Sequence, residues 1–77
     1  MNKARRQKLE DVVSSLMDAL SALEDITNEE QESMDNMPEN LQYSERYDNM
    51  QECIDCLDNV TSDLANVIDD INDIISM

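Results

Sequence analysis

Apolar residues recur along the chain at alternating steps of four and three positions, in two segments separated by a break around Pro38. Such steps place the residues on one face of a helix, in the a and d positions of helices that pack side by side. We call these residues the seam; its polar members are Thr27, Glu30 and Thr61. In the first segment the seam is Leu9, Val13, Leu16, Leu20, Leu23, Thr27, Glu30, Met34 and Met37. In the second it is Tyr43, Tyr47, Met50, Ile54, Leu57, Thr61, Leu64, Ile68, Ile71 and Ile75. The pattern predicts two long helices.

A second row of apolar residues runs beside each seam at sevenfold spacing. We call this row the flanking stripe: Val12, Ala19 and Ile26 in the first segment, and Cys53, Val60, Val67 and Ile74 in the second. Each helix therefore has an apolar face wider than a two-helix contact requires. A lone hairpin would leave part of this face in water, so the pattern favours dimerisation into a four-helix bundle or docking against a partner. Ten seam residues are expected to form the core or the oligomer contact: Leu9, Val13, Leu16, Leu20, Leu23, Ile54, Leu57, Leu64, Ile68 and Ile71.

The segment between the helices contains residues typical of an ordered turn. Pro38 disfavours helical geometry at Met37, so helix one should end just before it. Asn36 is expected to cap a short turn beginning at Pro38, and Ser44 to cap helix two. The predicted domain spans residues 1–77, with helix one over about 3–36, a connector over about 37–43 and helix two over about 44–75.

A connector this short forces the two helices to pack antiparallel. Leu16 should then lie opposite Leu64, and the basic N-terminus beside Asp69, Asp70 and Asp73. The sequence thus predicts an all-α fold, an antiparallel helical hairpin.

The composition agrees with this fold. The chain has no Gly and a single Pro, whereas a small β-fold needs tight turns that recruit Gly. No apolar run approaches the roughly 20 residues that span a bilayer, and no signal-peptide apolar stretch follows the basic N-terminus. We therefore expect a soluble, cytoplasmic protein.

Negative charge is the dominant feature of the composition. The net charge is −14, yet Lys3, Arg5, Arg6 and Lys8 lie in the first eight residues, which contain no acid. Residues 9–77 carry all 19 acids against Arg46 alone, a net charge of −18. Such a body repels nucleic acid and anionic membranes and attracts basic surfaces. Neither nucleic acid nor a membrane is an expected partner.

The sequence offers little for catalysis or for cofactor binding. It has no His, no Gly-rich phosphate cradle, and no EF-hand pattern among its acids. Cys53 and Cys56 match a C-x-x-C spacing, but that redox motif needs a helix N-terminus beside a sheet. We expect both to be reduced thiols, buried or half-buried, and expect no enzyme activity, no cofactor and no metal site.

The acids of helix two suggest a binding surface. Ordinary coiled coils interleave Glu and Lys, whereas like charges four residues apart destabilise a helix. Carboxylates three or four residues apart lie roughly 5–6 Å apart, which is comparable with phosphate spacing along a nucleic-acid strand. The expected partner-binding residues are Glu52, Asp55, Asp58, Asp63, Asp69, Asp70 and Asp73.

Residues 1–6 and 35–46, read Met-Asn-Lys-Ala-Arg-Arg and Asp-Asn-Met-Pro-Glu-Asn-Leu-Gln-Tyr-Ser-Glu-Arg, resemble a set of small acidic helical proteins. Those proteins, of unassigned role, are encoded by phages, prophages and mobile elements of Gram-positive bacteria. The resemblance implies a place in the host cytoplasm and a role against host defences, such as an anti-CRISPR or anti-restriction protein. It supplies no catalytic residues.

These observations lead to one principal functional hypothesis and two alternatives. The principal one is a non-enzymatic DNA mimic, a homodimer whose acidic surface competes for the basic nucleic-acid groove of a CRISPR effector or other host nuclease. The first alternative is a coiled-coil assembly or adaptor protein that binds a partner through its wide apolar face, with the charge serving solubility. The second is charge-based chaperoning of many basic proteins.

Overall fold

The computed structural model describes residues 1–77 as two long α-helices joined by a short turn. Helix α1 spans Lys3–Asp35, a 3-10 turn spans Glu39–Leu41, and helix α2 spans Glu45–Ile75. The helices pack against each other as an antiparallel hairpin with extents of 60 × 15 × 12 Å. The predicted all-α helical hairpin is confirmed.

The interface between α1 and α2 is built from the seam. Its most buried members are Val13, Met34, Met50, Ile54 and Ile68. The other seam residues are half-buried, apart from Tyr43. Removing these apolar side chains from water is the main favourable term that holds the two helices together.

Tyr43 does not belong to the interface, and its place in the predicted seam was wrong. Its side chain is 92% exposed. Tyr43 lies in the connector, one residue before the Ser44 cap, and α2 begins only at Glu45. The heptad spacing therefore has no helix to act on at this position.

The best-packed part of the interface lies next to the connector. Met34, Met50 and Ile54 form a buried cluster against which Met37 and Tyr47 pack. Methionine is unbranched and flexible, so it can fill the irregular space where a chain turns back on itself. This cluster holds the closed end of the hairpin together.

The two threonines of the seam are accommodated by hydrogen bonds within their own helices. The Thr27 hydroxyl donates to the Leu23 carbonyl at 2.8 Å, and the Thr61 hydroxyl donates to the Leu57 carbonyl at 2.6 Å. Each hydroxyl is half-buried, and an unbonded hydroxyl there would cost free energy. The threonines therefore interrupt the apolar surface without leaving unsatisfied groups.

Polar side chains cap the N-terminus of each helix. The Asn2 side chain accepts from the Arg5 backbone N–H at 2.9 Å. The Ser44 hydroxyl oxygen accepts from the Tyr47 backbone N–H at 3.2 Å, which confirms the predicted cap of α2. The same hydroxyl donates to the Leu41 carbonyl at 2.6 Å, so Ser44 also ties the cap to the connector.

The connector differs from the prediction at Asn36. Its side chain caps nothing; its backbone N–H donates to the Glu32 carbonyl at 3.0 Å and so closes the last turn of α1. Pro38 has extended backbone, with φ −54° and ψ 143°, so the 3-10 turn begins one residue later, at Glu39, without a side-chain cap.

Substitution of Ile54 tests the importance of the cluster. Ile54 is 4% exposed, so Ile54→Ala should lower the free energy of unfolding by about 2–5 kcal/mol through lost burial and an unfilled cavity. Urea unfolding followed by circular dichroism at a fixed protein concentration measures the change. The control is Tyr43→Ala, which should stay within about 0.5 kcal/mol of the parent. Equal effects of the two substitutions would contradict this packing.

Substitution of Ser44 tests the cap. Ser44→Ala should lower the free energy of unfolding by about 1 kcal/mol, because the Tyr47 N–H loses its acceptor. Ser44→Asp, which restores an acceptor, should recover most of this loss in the same urea titration. Failure of Asp to recover it would mean that the bond to Leu41, and not the cap, matters.

Candidate interaction surfaces

The flanking stripe is exposed on both helices. Its five largest aliphatic members, Val12, Ile26, Val60, Val67 and Ile74, are 40–50% exposed. Ala19 and Cys53 are exposed as well. Apolar side chains at these positions are therefore only partly covered by the hairpin itself.

The two halves of the flanking stripe lie on the same side of the hairpin. An antiparallel helix pair has an approximate two-fold axis perpendicular to the plane of its two helix axes. That axis keeps the same flank of each helix on the same side of the plane. In both helices the stripe residue directly precedes a seam residue, as Val12 precedes Val13 and Cys53 precedes Ile54. We call the resulting surface, formed by the seven stripe residues together, the apolar face.

Two of the shallow recesses that border the apolar face differ in their lining. One, with a volume of about 580 Å³, is lined by Asn49, Glu52, Cys53, Cys56, Leu57 and Val60. The other, with a volume of about 290 Å³, lies at the N-terminus of α1 and is lined by Met1, Arg5, Lys8, Leu9 and Val12. The second recess is thus apolar with a basic rim, in contrast to the acidic remainder of the molecule.

The cysteines are free, and both are exposed. The expectation of buried or half-buried thiols was therefore wrong. Cys53 belongs to the flanking stripe, and Cys56 lies one step further from the seam, so neither points between the helices. The residue type alone favours burial of a thiol, but the position of each cysteine on the helix determines its exposure.

All seven acids predicted to bind a partner are exposed. They do not form one continuous row. Helical spacing brings together three acids within residues 52–58 and three within residues 69–73, with Asp63 between the groups. Ser62 and Asn66 occupy the corresponding outward positions of the intervening turns, so the acidic surface of α2 has a neutral middle.

Helix α1 carries an acidic row that the sequence-based prediction missed. Asp11, Asp18, Asp25 and Glu32 recur at sevenfold spacing, and all four are exposed. Successive members are about 10 Å apart along the helix. The sevenfold spacing is visible in the sequence, but the direction in which the row faces depends on how the helices pack. The packing turns this row away from α2. The hairpin therefore has two acidic edges: the row of four acids on α1, and the seven acids on α2 that are predicted to bind a partner.

Neutral glutamines bond to three of the aspartates. Gln7, Gln31 and Gln51 donate side-chain hydrogen bonds to the aspartate four residues later, at 3.2, 2.9 and 3.0 Å. The acceptors are Asp11, Asp35 and Asp55. An amide donor orients a carboxylate but leaves its charge in place. These bonds thus preserve the negative field of both edges.

The basic N-terminus meets the end of α2. The Arg6 Nη2 donates to the backbone oxygen of Met77 at 3.2 Å. This hydrogen bond goes to the chain end and not to the carboxylates predicted as neighbours, Asp69, Asp70 and Asp73. The Arg6 Nε is buried without a hydrogen-bond partner. Cations at the start of α1 and acids at the end of α2 each oppose their own helix dipole. The antiparallel arrangement brings these opposite charges to the same end of the molecule.

Neither helix has a stretch long and apolar enough to cross a membrane. No group of three or more His, Cys, Asp or Glu side chains is arranged to hold a metal ion. Comparison of the chain with models of protein families, with curated proteins and with solved structures gave no match. The functional proposal therefore depends on the residues and their geometry.

The acidic edges lead to a prediction about salt. Raising NaCl from about 0.05 M to about 0.5 M should raise the unfolding temperature, because salt screens repulsion between exposed like charges. A variant that neutralises the α1 row (Asp11→Asn, Asp18→Asn, Asp25→Asn and Glu32→Gln) should unfold at a higher temperature at low salt and respond less to salt. Thermal circular dichroism measures both. An equal salt response of variant and parent would show that repulsion among the four acids of the α1 row does not destabilise the fold.

Proposed function

We propose that this protein is a non-enzymatic inhibitor whose acidic edges occupy the basic nucleic-acid groove of a host defence protein. The observation that carries the proposal is the pair of exposed acidic edges on a rod-shaped hairpin about 60 Å long. Nearly all cations lie in the first eight residues, so the edges have Arg46 as their only basic residue beyond that segment. The targets would be CRISPR effectors or restriction nucleases.

The dimensions of the rod support this proposal. A helix of 33 residues is about 50 Å long, and duplex DNA of that length carries about 30 charges. One copy of the chain carries 19 acids. Within each acidic group of α2, acids three or four residues apart are separated by roughly 5–6 Å, so a groove lined by Lys and Arg would meet charges there at a spacing similar to that of phosphates.

The energetics also support a role for the charge outside folding. Like charges along a helix are destabilising, and aspartate is a poorer helix former than glutamate, yet α2 carries seven aspartates and two glutamates. A surface selected for helix stability would alternate acids with lysines. The resemblance to small acidic proteins of phages and mobile elements points to the same class of inhibitor.

A second candidate function follows from the exposed apolar face. A coiled-coil adaptor would bind one helix of a partner protein there, with the acids serving solubility. The two functions use different sides of the hairpin, so variants of one side discriminate between them.

Competition binding tests the proposed function. The protein is titrated into complexes of labelled duplex DNA or guide RNA with each of a panel of CRISPR effectors and restriction nucleases. For the true target, we expect stoichiometric displacement that weakens with salt. Neutralising Asp55, Asp58, Asp69 and Asp73 as Asn should weaken binding by about tenfold or more, since each exposed charge contributes a few tenths of a kcal/mol or more.

The matched control is the α1 variant described above, which removes the same number of charges from the opposite edge. A larger loss for one variant identifies the edge that enters the groove. If neither variant weakens binding to an identified target, or if salt has no effect, the mimicry mechanism is wrong. Loss of binding by Val67→Glu together with normal binding by both acid variants would contradict mimicry and favour the adaptor function.

A further inference from the structure

The hairpin exposes more surface than a chain of its mass normally does. Its accessible area is 5756 Å², and only 5 of its 77 residues are buried. A compact monomer of 8.8 kDa exposes about 4,800 Å², so the excess is about 1,000 Å². This excess is close to the roughly 800 Å² per partner that a stable protein–protein interface buries.

The exposed aliphatic side chains of the two helices are concentrated on one side. The apolar face contains seven stripe residues, whereas the opposite flank of the hairpin contains Glu10, Glu24, Asp58 and Asn72 beside Met17. Because only one side of the hairpin is apolar, it can pack against one further layer of helices and no more.

We propose that a second copy of this chain covers the apolar face, so that two hairpins form a closed four-helix bundle. Two helices side by side, each about 50 Å long and about 10 Å wide, offer a footprint of about 1,000 Å². That footprint matches the excess surface of the single hairpin. The proposal does not depend on the function proposed above.

The distribution of charge favours a second copy of the chain as the occupant of the apolar face. The acidic edges point sideways, so two apolar faces can meet while most acids of both copies stay at the outside. The recess with a basic rim at Arg5 and Lys8 lies at the end where α2 carries its acids at 69–73. A two-fold axis along the bundle sets each α1 against the α2 of the other copy. The basic start of α1 in one copy then lies beside the acidic end of α2 in the other copy. The interface is thus self-complementary, as a two-fold dimer requires.

Sedimentation equilibrium of the unmodified chain is the first test. We expect a species of twice the 8.8 kDa chain mass that dissociates on dilution, with an unfolding temperature that rises with protein concentration. A helical monomer at every concentration examined would overturn the proposal and leave the face to a foreign helix.

A matched pair of substitutions locates the interface. Val67→Glu adds a charge to the apolar face, and Met17→Glu adds the same charge to the opposite flank, where Met17 is 56% exposed. We expect Val67→Glu to shift the equilibrium strongly toward monomer and Met17→Glu to leave it nearly unchanged. Equal effects of the two would place the dimer contact elsewhere and overturn the proposal.

Thiol reactivity keeps the proposal testable if Val67→Glu prevents folding. Cys53 belongs to the apolar face, and Cys56 lies at its margin; both are exposed in the single hairpin. In chains that retain one cysteine each, with Ser at the other position, Cys53 should react with a thiol reagent severalfold more slowly than Cys56. Dilution should remove the difference. Cys53 reacting as fast as Cys56 at the highest concentration would exclude burial of this face.

Discussion

Burial of one apolar seam is the interaction on which this structure depends. Two helices in contact can hide only the side chains that lie between them, and here these amount to one row on each helix. The row is long but narrow, so most of its members are half-buried and few are fully covered. The stability gained per residue is small, and the fold therefore needs capped helix ends and a tightly packed connector.

The same constraint separates the remaining surface into parts with different chemistry. The outer edges are far from the seam, and they accept acids at the cost of mutual repulsion. The flanking stripe is near the seam but not between the helices, and it remains apolar. A chain selected only to fold as a lone hairpin would make the stripe polar and would mix lysines into the edges. The flanking stripe and the acidic edges are therefore the two candidate binding surfaces, and they lie on perpendicular sides of the hairpin.

The periodic parts of the fold could be predicted from the sequence, because a heptad repeat determines which side of each helix is buried. The helix bounds follow from Pro38 and Ser44, whose effects on the backbone are local. The sequence-based predictions are wrong where the heptad repeat does not apply or where the position of a residue overrides the tendency of its type. Tyr43 continues the heptad spacing but lies in the connector, outside the helix. Asn36 does not cap the 3-10 turn, because Pro38 is extended and the turn begins only at Glu39. The thiol of Cys53 lies on the exposed flanking stripe. The direction in which the acidic row of α1 faces follows from the packing of the two helices and could not be predicted from spacing alone.

The two ends of the hairpin are held by different forces. At the connector, Met34, Met50 and Ile54 exclude water, and the covalent chain itself keeps the helices together. At the open end, a cluster of cations at the start of α1 meets the acidic end of α2, and a single hydrogen bond joins Arg6 to Met77. Ions in solution weaken the second contact and leave the first almost untouched. The two ends of the hairpin therefore differ in chemistry: the end at the termini is held by polar and charged groups that salt screens, and the end at the connector by apolar packing that salt leaves intact.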